Sequence, residues 1–262
     1  MKLEKIFKTL KDTINSNPLL DLKNKTRYQS GVFKYRNLII NFIDPLSLYH
    51  EVKDIFESKI YHFESVNNKP NIIDAGGYIG ISTLYFKKMY PTARITVFEP
   101  DPSIFKVLQE NINKNGIKDV NAINSGLGKE EGLLDFSPDG ADGGSCYDKT
   151  DSKFKVKIER LSNFIESEID LLKMNIEGAE GDVFEEIEPK IYLVREIIFE
   201  YHCFSNLNQN IGKILNILDR NNFKYFVTDK VGGGIPVPFN MGKEYKHFNL
   251  VYAKNMNYPN LL

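Results

Sequence analysis

The chain has no tryptophan, two cysteines and four histidines among its 262 residues, and lacks a run of about 18 apolar residues long enough to cross a bilayer as a helix. Each shortage excludes something. Cys146 and Cys203 cannot build a disulfide framework and have no metal-ligand spacing, which suits a reducing compartment. Neither sign of charge dominates: 34 lysines and arginines stand against 35 aspartates and glutamates, so no bulk field favours nucleic acid or an anionic membrane surface. With 26% charged and 42% hydrophobic residues, the chain has a globular balance that excludes disordered or collagen-like polymers. Lysines interrupt each short apolar run near the amino terminus, so no signal-peptide core is expected and a cytoplasmic location is. Leu3, Ile6, Phe7, Leu10 and Ile14 fall at helical spacing and predict a short helix packed on the domain.

What is present has a rhythm. Residues 1–68 read as helices and a short hairpin, and the polar stretch at 65–70 predicts a boundary between this region and a domain at 69–262. Beyond it, short β-branched and aromatic runs alternate with helical patterns, the sign of a parallel sheet made from βαβ units. Strands are expected at 71–74, 94–99, 120–124, 169–175 and 196–201, with helices at 79–89, 102–113 and 210–220. Runs at 133–136 and 155–158 predict a hairpin whose loop, 137–150, is the candidate mobile flap. The last runs, 224–228 and 249–253, are joined through Gly232-Gly233-Gly234 without a crossover helix, so they should pair antiparallel.

Asn71-Ile72-Ile73-Asp74-Ala75-Gly76-Gly77-Tyr78-Ile79-Gly80 takes a strand into a glycine-rich turn that opens a helix. Backbone without side chains can approach a ligand there, and helix-terminal N–H groups face it. A dinucleotide fingerprint, Gly-x-Gly-x-x-Gly, is matched only in part, because Ala75 takes its first position ahead of Gly77 and Gly80. Asp74 would repel a pyrophosphate yet attract S-adenosylmethionine, which carries a sulfonium and an ammonium and no phosphate. Glu99 falls 19 residues after Gly80, at the end of the second strand, where an acidic residue accepts hydrogen bonds from ribose hydroxyls.

These residues resemble the FkbM family of S-adenosylmethionine-dependent methyltransferases. The resemblance rests on the stretch from Asp74 to Gly80, on Phe98-Glu99-Pro100-Asp101-Pro102, on Asn111-x-x-x-Asn115, and on Lys173-Met174-Asn175-Ile176-Glu177-Gly178-Ala179-Glu180. It extends upstream to Asp54-Ile55-Phe56 and Tyr61, and covers about residues 40–205. It implies an α/β, Rossmann-like class I methyltransferase: a seven-stranded, mostly parallel sheet with an antiparallel last strand. Residues 1–68 would add a helical cap. It also implies transfer to a hydroxyl, often on a sugar or natural product, so the expected partner is a small-molecule or glycan acceptor. Two positions depart from the family pattern: Asn175 stands where Asp is usual, and Tyr78 where Asn is usual.

The expected cofactor set is Asp74, Gly76, Gly77, Tyr78, Gly80, Glu99, Pro100, Ser125, Gly126 and Asn175. Tyr61 could stack on the cofactor or lie in the core. For catalysis the candidates are Asn175 with Glu177 after the fourth strand and Glu200 with His202 after the fifth, since chemistry in open α/β sheets lies beyond the strand carboxyl ends. His202 is the preferred base because a neutral imidazole is available near pH 7, and the family often carries a Glu-x-His pair at this place. Glu177 could position acceptor or cofactor amine, whereas Glu180 reads as a structural helix residue. No adjacent aspartate pair compensates for Asn175, so no obligatory metal is expected. The competing classes are a nucleotide-linked oxidoreductase, a nucleic-acid methyltransferase and a non-catalytic cofactor-binding module.

Overall fold

The structure, a computed structural model, describes residues 18–138, 144, 154–204, 208–229 and 246–258. The amino-terminal helix, most of the 137–150 flap, Cys146 and the glycine turn at 232–234 lie outside the described residues. From the amino terminus come α1 (Pro18–Lys23), the hairpin β1 (Gly31–Tyr35) and β2 (Leu38–Phe42), α2 (Pro45–Glu51) and a turn of wider π-type helix at Val52–Glu57. The main sheet then begins: β3 (Asn71–Ala75), α3 (Ile81–Met89), β4 (Arg94–Phe98), α4 (Pro102–Lys114) and β5 (Val120–Ile123). Three short strands follow, β6 (Gly126–Leu127), β7 (Gly132–Phe136) and β8 (Phe154–Glu159). The chain ends with β9 (Ile169–Met174), α5 (Glu180–Ile187), β10 (Val194–Phe204), α6 (Ile211–Arg220), β11 (Phe223–Asp229) and β12 (Lys246–Asn255).

Seven strands form one sheet in the order β11-β12-β10-β9-β3-β4-β5. All neighbours are parallel except β12, which lies antiparallel between β10 and β11. The expected seven-stranded sheet and its antiparallel final strand are therefore present. Because successive side chains alternate across a strand, Ile72 and Ile73, Leu171 and Leu172, and Ile198 and Ile197 enter opposite cores. One core packs against α3 and α4, the other against α5 and α6. The result is a three-layer α/β/α body whose strand carboxyl ends share one edge.

Among the described residues ahead of 68, the expected short hairpin accompanies the helices, and its Leu38, Ile40 and Phe42 belong to the same core as Ile72, Leu108 and Ile198. Asparagines fix it there: Asn111 Oδ1 accepts from Asn41 N at 2.7 Å and Asn115 Oδ1 from Ile39 N at 2.9 Å. Asn111 Nδ2 also donates to Ile79 O at 2.8 Å, so one buried carboxamide joins the hairpin to the end of the glycine loop. The helix presenting both asparagines starts cleanly, with Asp101 accepting from Ser103 N and Ile104 N and Pro102 in its first turn. β7 and β8 form the expected hairpin; β6, too short to announce itself in sequence, adds parallel to β8.

Candidate active site

A cavity of about 670 Å³ opens at the carboxyl ends of β3, β4, β9 and β10, within the size range of small-molecule sites. The subsidiary sheet walls one side through Leu133, Leu134, Phe136 and Ile158, while Glu51 and Ile55 reach it from the amino-terminal region. Of the expected cofactor set, Gly76, Tyr78, Glu99, Pro100, Ser125, Gly126 and Asn175 line it; Asp74, Gly77 and Gly80 do not.

Asp74 is the clearest correction. Its carboxylate is fully buried, accepts from Ser82 Oγ at 2.6 Å and Thr83 Oγ1 at 2.8 Å, and pairs with Lys173 Nζ at 3.1 Å. Strand register sets this pair, because Asp74 and Lys173 are partners on adjacent parallel strands. The charge is spent inside the protein on anchoring the first turn of α3, so it neither attracts a cationic cofactor nor repels a pyrophosphate. Lys173, which sequence reasoning passed over, also donates to Gly76 O at 2.6 Å and sits 5.3 Å from the Tyr61 ring centre. It holds the glycine loop from below.

The loop needs its glycines for different reasons. At Gly76, with φ of +83°, a Cβ would stand 1.8 Å from the Asn175 carbonyl oxygen, so no side chain fits between the ends of β3 and β9. Gly77 instead admits Val97 and Leu108, close packing of helix on sheet away from the cavity. Amides of Gly76 and Gly77 both donate to Phe98 O, drawing the loop toward the end of β4.

Glu99 stands at that end. One of its oxygens accepts from Tyr78 N at 3.0 Å and the other from Asp101 N at 2.9 Å. Burial raises its pKa from 4.5 to about 8 despite these bonds. Each oxygen keeps a lone pair for a further donor. Ser125 Oγ is fully buried and Asn175 Oδ1 is a buried oxygen; neither has a hydrogen-bond partner among the described residues, and both residues line the cavity. Buried polar atoms ordinarily find partners. Two orphans, a loop no Cβ could enter and a carboxylate with spare lone pairs fit a polar cofactor with ribose hydroxyls.

At the other end, His202 lies between two carboxylates. Its Nδ1 is 2.8 Å from Glu180 Oε1 and its Nε2 is 3.1 Å from Glu177 Oε1, while Phe248 packs edge-on against the ring. Burial alone would lower the imidazole pKa, but Glu177 and Glu180 outweigh it by charge and hydrogen bond and hold it well above 6.5. The neutral imidazole base expected from the sequence thus meets carboxylate oxygens at both nitrogens, an arrangement that favours a ring donating from each. Glu180 is correspondingly more than a helix residue. Its Oε1 also accepts from Ile176 N and Gly178 N, fixing the turn in which Glu177 adopts φ of +54°. Burial raises the Glu177 pKa and the imidazolium opposes that rise.

Glu200 is 2% exposed, and its Oε1 accepts from the Tyr61 hydroxyl. Tyr61 itself is buried core and does not line the cavity; burial, then the charges of Glu200 and Glu51, hold its phenol well above 10. The structure thus brings Asn175, Glu177, Glu200 and His202 to one end of the cavity. Glu51, Lys173 and the positioning role of Glu180 were missed. The Glu177-x-x-Glu180 spacing was a usable sign of the last; the first two depend on contacts distant in sequence. Among the described residues, no helix is long and apolar enough to cross a membrane, and no group of three His, Cys, Asp or Glu is arranged to hold a metal ion.

Comparison with known proteins follows the same lines. The family model for the methyltransferase FkbM domain matches residues 74–225, more than half of the chain. Methyltransferase 1 of Beauveria bassiana (strain ARSEF 2860) is 31% identical, over 56% of this chain and 71% of that protein. Methyltransferase sdnD of Sordaria araneosa is 29% identical, over 62% of this chain and 78% of that protein. Among solved structures, methyltransferase FkbM from Methylobacillus flagellatus KT shares the fold with a TM-score of 0.51 at 14% identity. That match covers 79% of this chain and 50% of the other, so the chain spans about half the length of that methyltransferase.

Proposed function

The chain belongs to the FkbM methyltransferase family and is an S-adenosylmethionine-dependent methyltransferase, and on that premise we propose that it methylates a hydroxyl oxygen of a small molecule or glycan, a sugar or polysaccharide-related acceptor being favoured. The Glu177–His202–Glu180 clamp at the cavity carries this reading. A hydroxyl is a poor nucleophile until something takes its proton, and a base within hydrogen-bond reach contributes roughly 10²- to 10⁴-fold. When bound, S-adenosylmethionine supplies a methyl group on a cationic sulfur that an oxygen can displace in line.

Glu177 takes the hydroxyl proton on its carboxylate. The His202 imidazolium orients that carboxylate from Oε1, and Glu180 holds the ring from behind. Glu99, Ser125, Gly76 and Asn175 hold the cofactor, and the asparagine oxygen adds an acceptor without adding charge. Glu200, fixed by Tyr61, borders the acceptor end, and residues 1–68 cover part of that end through Glu51 and Ile55. This arrangement calls for no obligatory metal. The oxidoreductase alternative is displaced by family membership.

The test is transfer of labelled methyl from S-adenosylmethionine to a panel of hydroxylated sugars, with the product mapped by NMR. Methyl on oxygen is expected. Methyl found only on nitrogen or carbon refutes the hydroxyl reading, and transfer to none of the sugars removes the glycan class.

A further inference from the structure

One buried hydroxyl joins two residues that line the cavity. Tyr61, behind the cavity wall, donates to Glu200 Oε1 on β10. The same phenol oxygen takes a hydrogen bond from the side chain of Asn175, just past the end of β9. A phenol has a single hydrogen, and Glu200 receives it, so toward Asn175 the oxygen can only accept. The carboxamide therefore turns its Nδ2 to Tyr61, and its Oδ1 lies on the other side. That oxygen is buried, has no partner among the described residues, and belongs to a residue that lines the cavity. A carboxylate at position 175 would set a second acceptor against a hydrogen already given to Glu200, so a carboxamide suits the place.

The fold pins Tyr61 on two sides. Lys173 Nζ, itself paired with Asp74, stands 5.3 Å from the centre of its ring. The neighbouring Ile60 carbonyl accepts from the Tyr252 hydroxyl on β12 at 2.9 Å, which ties this segment to the main sheet. Burial and the charges of Glu200 and Glu51 keep the phenol protonated through the neutral range, so its hydrogen stays available. We infer that Tyr61 is a positioning residue for cofactor binding: its hydroxyl locks the Asn175 carboxamide so that Oδ1 is presented to the cofactor as an acceptor. Tyr61 lies upstream of residues 74–225, which the family model matches, so the amino-terminal region would shape the cofactor cradle from behind. The inference rests on Asn175 belonging to the cofactor set and is independent of which atom of the acceptor receives the methyl group.

The experiment is a double-mutant cycle on S-adenosylhomocysteine affinity, measured by calorimetry on the full chain as parent, Tyr61→Phe, Asn175→Ala and the pair. Tyr61→Phe keeps the ring beside Lys173 and removes only the hydroxyl. Asn175→Ala should weaken binding by roughly three- to tenfold, the value of one hydrogen bond, and Tyr61→Phe by roughly threefold. The pair should bind no worse than Asn175→Ala alone, because the hydroxyl acts only through the carboxamide. Losses that multiply in the pair point to a general packing defect and overturn the inference. Parent-like affinity in Tyr61→Phe beside a loss in Asn175→Ala overturns the positioning role alone, whereas parent-like affinity in Asn175→Ala removes Asn175 from the cofactor set and the inference with it. A second measurement needs no Tyr61 variant. In the parent labelled with ¹⁵N-asparagine, the Asn175 side-chain amide, identified by its loss in Asn175→Ala, should exchange its hydrogens more slowly than exposed asparagines do; exchange as fast as theirs overturns the inference.

Discussion

The two ends of the cavity use carboxylates in opposite ways. At the cofactor end, Asp74 is turned inward onto two hydroxyls and a lysine, while Glu99 accepts from two backbone amides and keeps a lone pair on each oxygen toward the cavity. At the acceptor end, Glu177, Glu180 and Glu200 crowd a single histidine and a tyrosine, and Glu177 sits on a left-handed turn. The first end is a preorganised cradle in which Asp74 serves the fold and Glu99 faces the cavity. The second concentrates carboxylates around one buried imidazole, a feature that clusters where chemistry is done. A carboxylate at a strand end is thus not by itself a ligand for anything. What distinguishes Asp74 from Glu99 is that the fold turns the first inward onto Lys173 and the second onto the cavity.

The sharpest way to break this comparison is Asp74→Ala. It strands Lys173, 2% exposed, without its counter-ion and leaves the Ser82 and Thr83 hydroxyls unmatched. Removing one partner of a buried pair costs about 3–5 kcal/mol, to be read from urea unfolding. A variant as stable as the parent but deficient only in cofactor binding would return Asp74 to the ligand set.

Glu177→Gln should act on turnover, lowering kcat by roughly 10²- to 10⁴-fold at saturating cofactor. The pH profile sharpens the point. Burial raises Glu177 above its ordinary carboxylate range, and the carboxylates hold His202 well above 6.5. Activity should therefore rise as Glu177 loses its proton and fall only once His202 loses its own, on the alkaline side. A neutral histidine base would instead give a rise near 6.5 and a plateau. Stability carries the matching sign for His202: its contribution is complete below 6.5 and disappears as pH climbs through the raised folded value.

The smallest effect should come from Ser125→Ala. Its hydroxyl has no partner among the described residues, so the free protein should lose little stability, within about 0.5 kcal/mol. Affinity for S-adenosylhomocysteine should drop by about 0.5–1.5 kcal/mol, the net value of one hydrogen bond. Unchanged affinity in calorimetry would remove Ser125 from the cradle.

Much of the fold was legible because periodicity is local. Alternating β-branched runs located β3, β4, β5, β9 and β10, and the lack of a crossover helix between the last two runs called for antiparallel pairing. Asn111 and Asn115 were visible as a motif, but their work of pinning a hairpin some 70 positions upstream was not. Nor could a list of residues separate Asp74 from Glu99, since both are acidic residues at neighbouring strand ends.

The sequence by itself determined the doubly covered sheet, the glycine turn and the family, because these follow from spacing along the chain. Only the tertiary structure decided which carboxylates are spent and which face the cavity. Strand register opposes Asp74 to Lys173, and the turn after β9 sets Glu177 and Glu180 on opposite sides of a buried imidazole. Protonation is governed by such through-space neighbours. His202 is therefore held toward its cationic form by its place in the fold, although the same residue read along the chain suggested a neutral base.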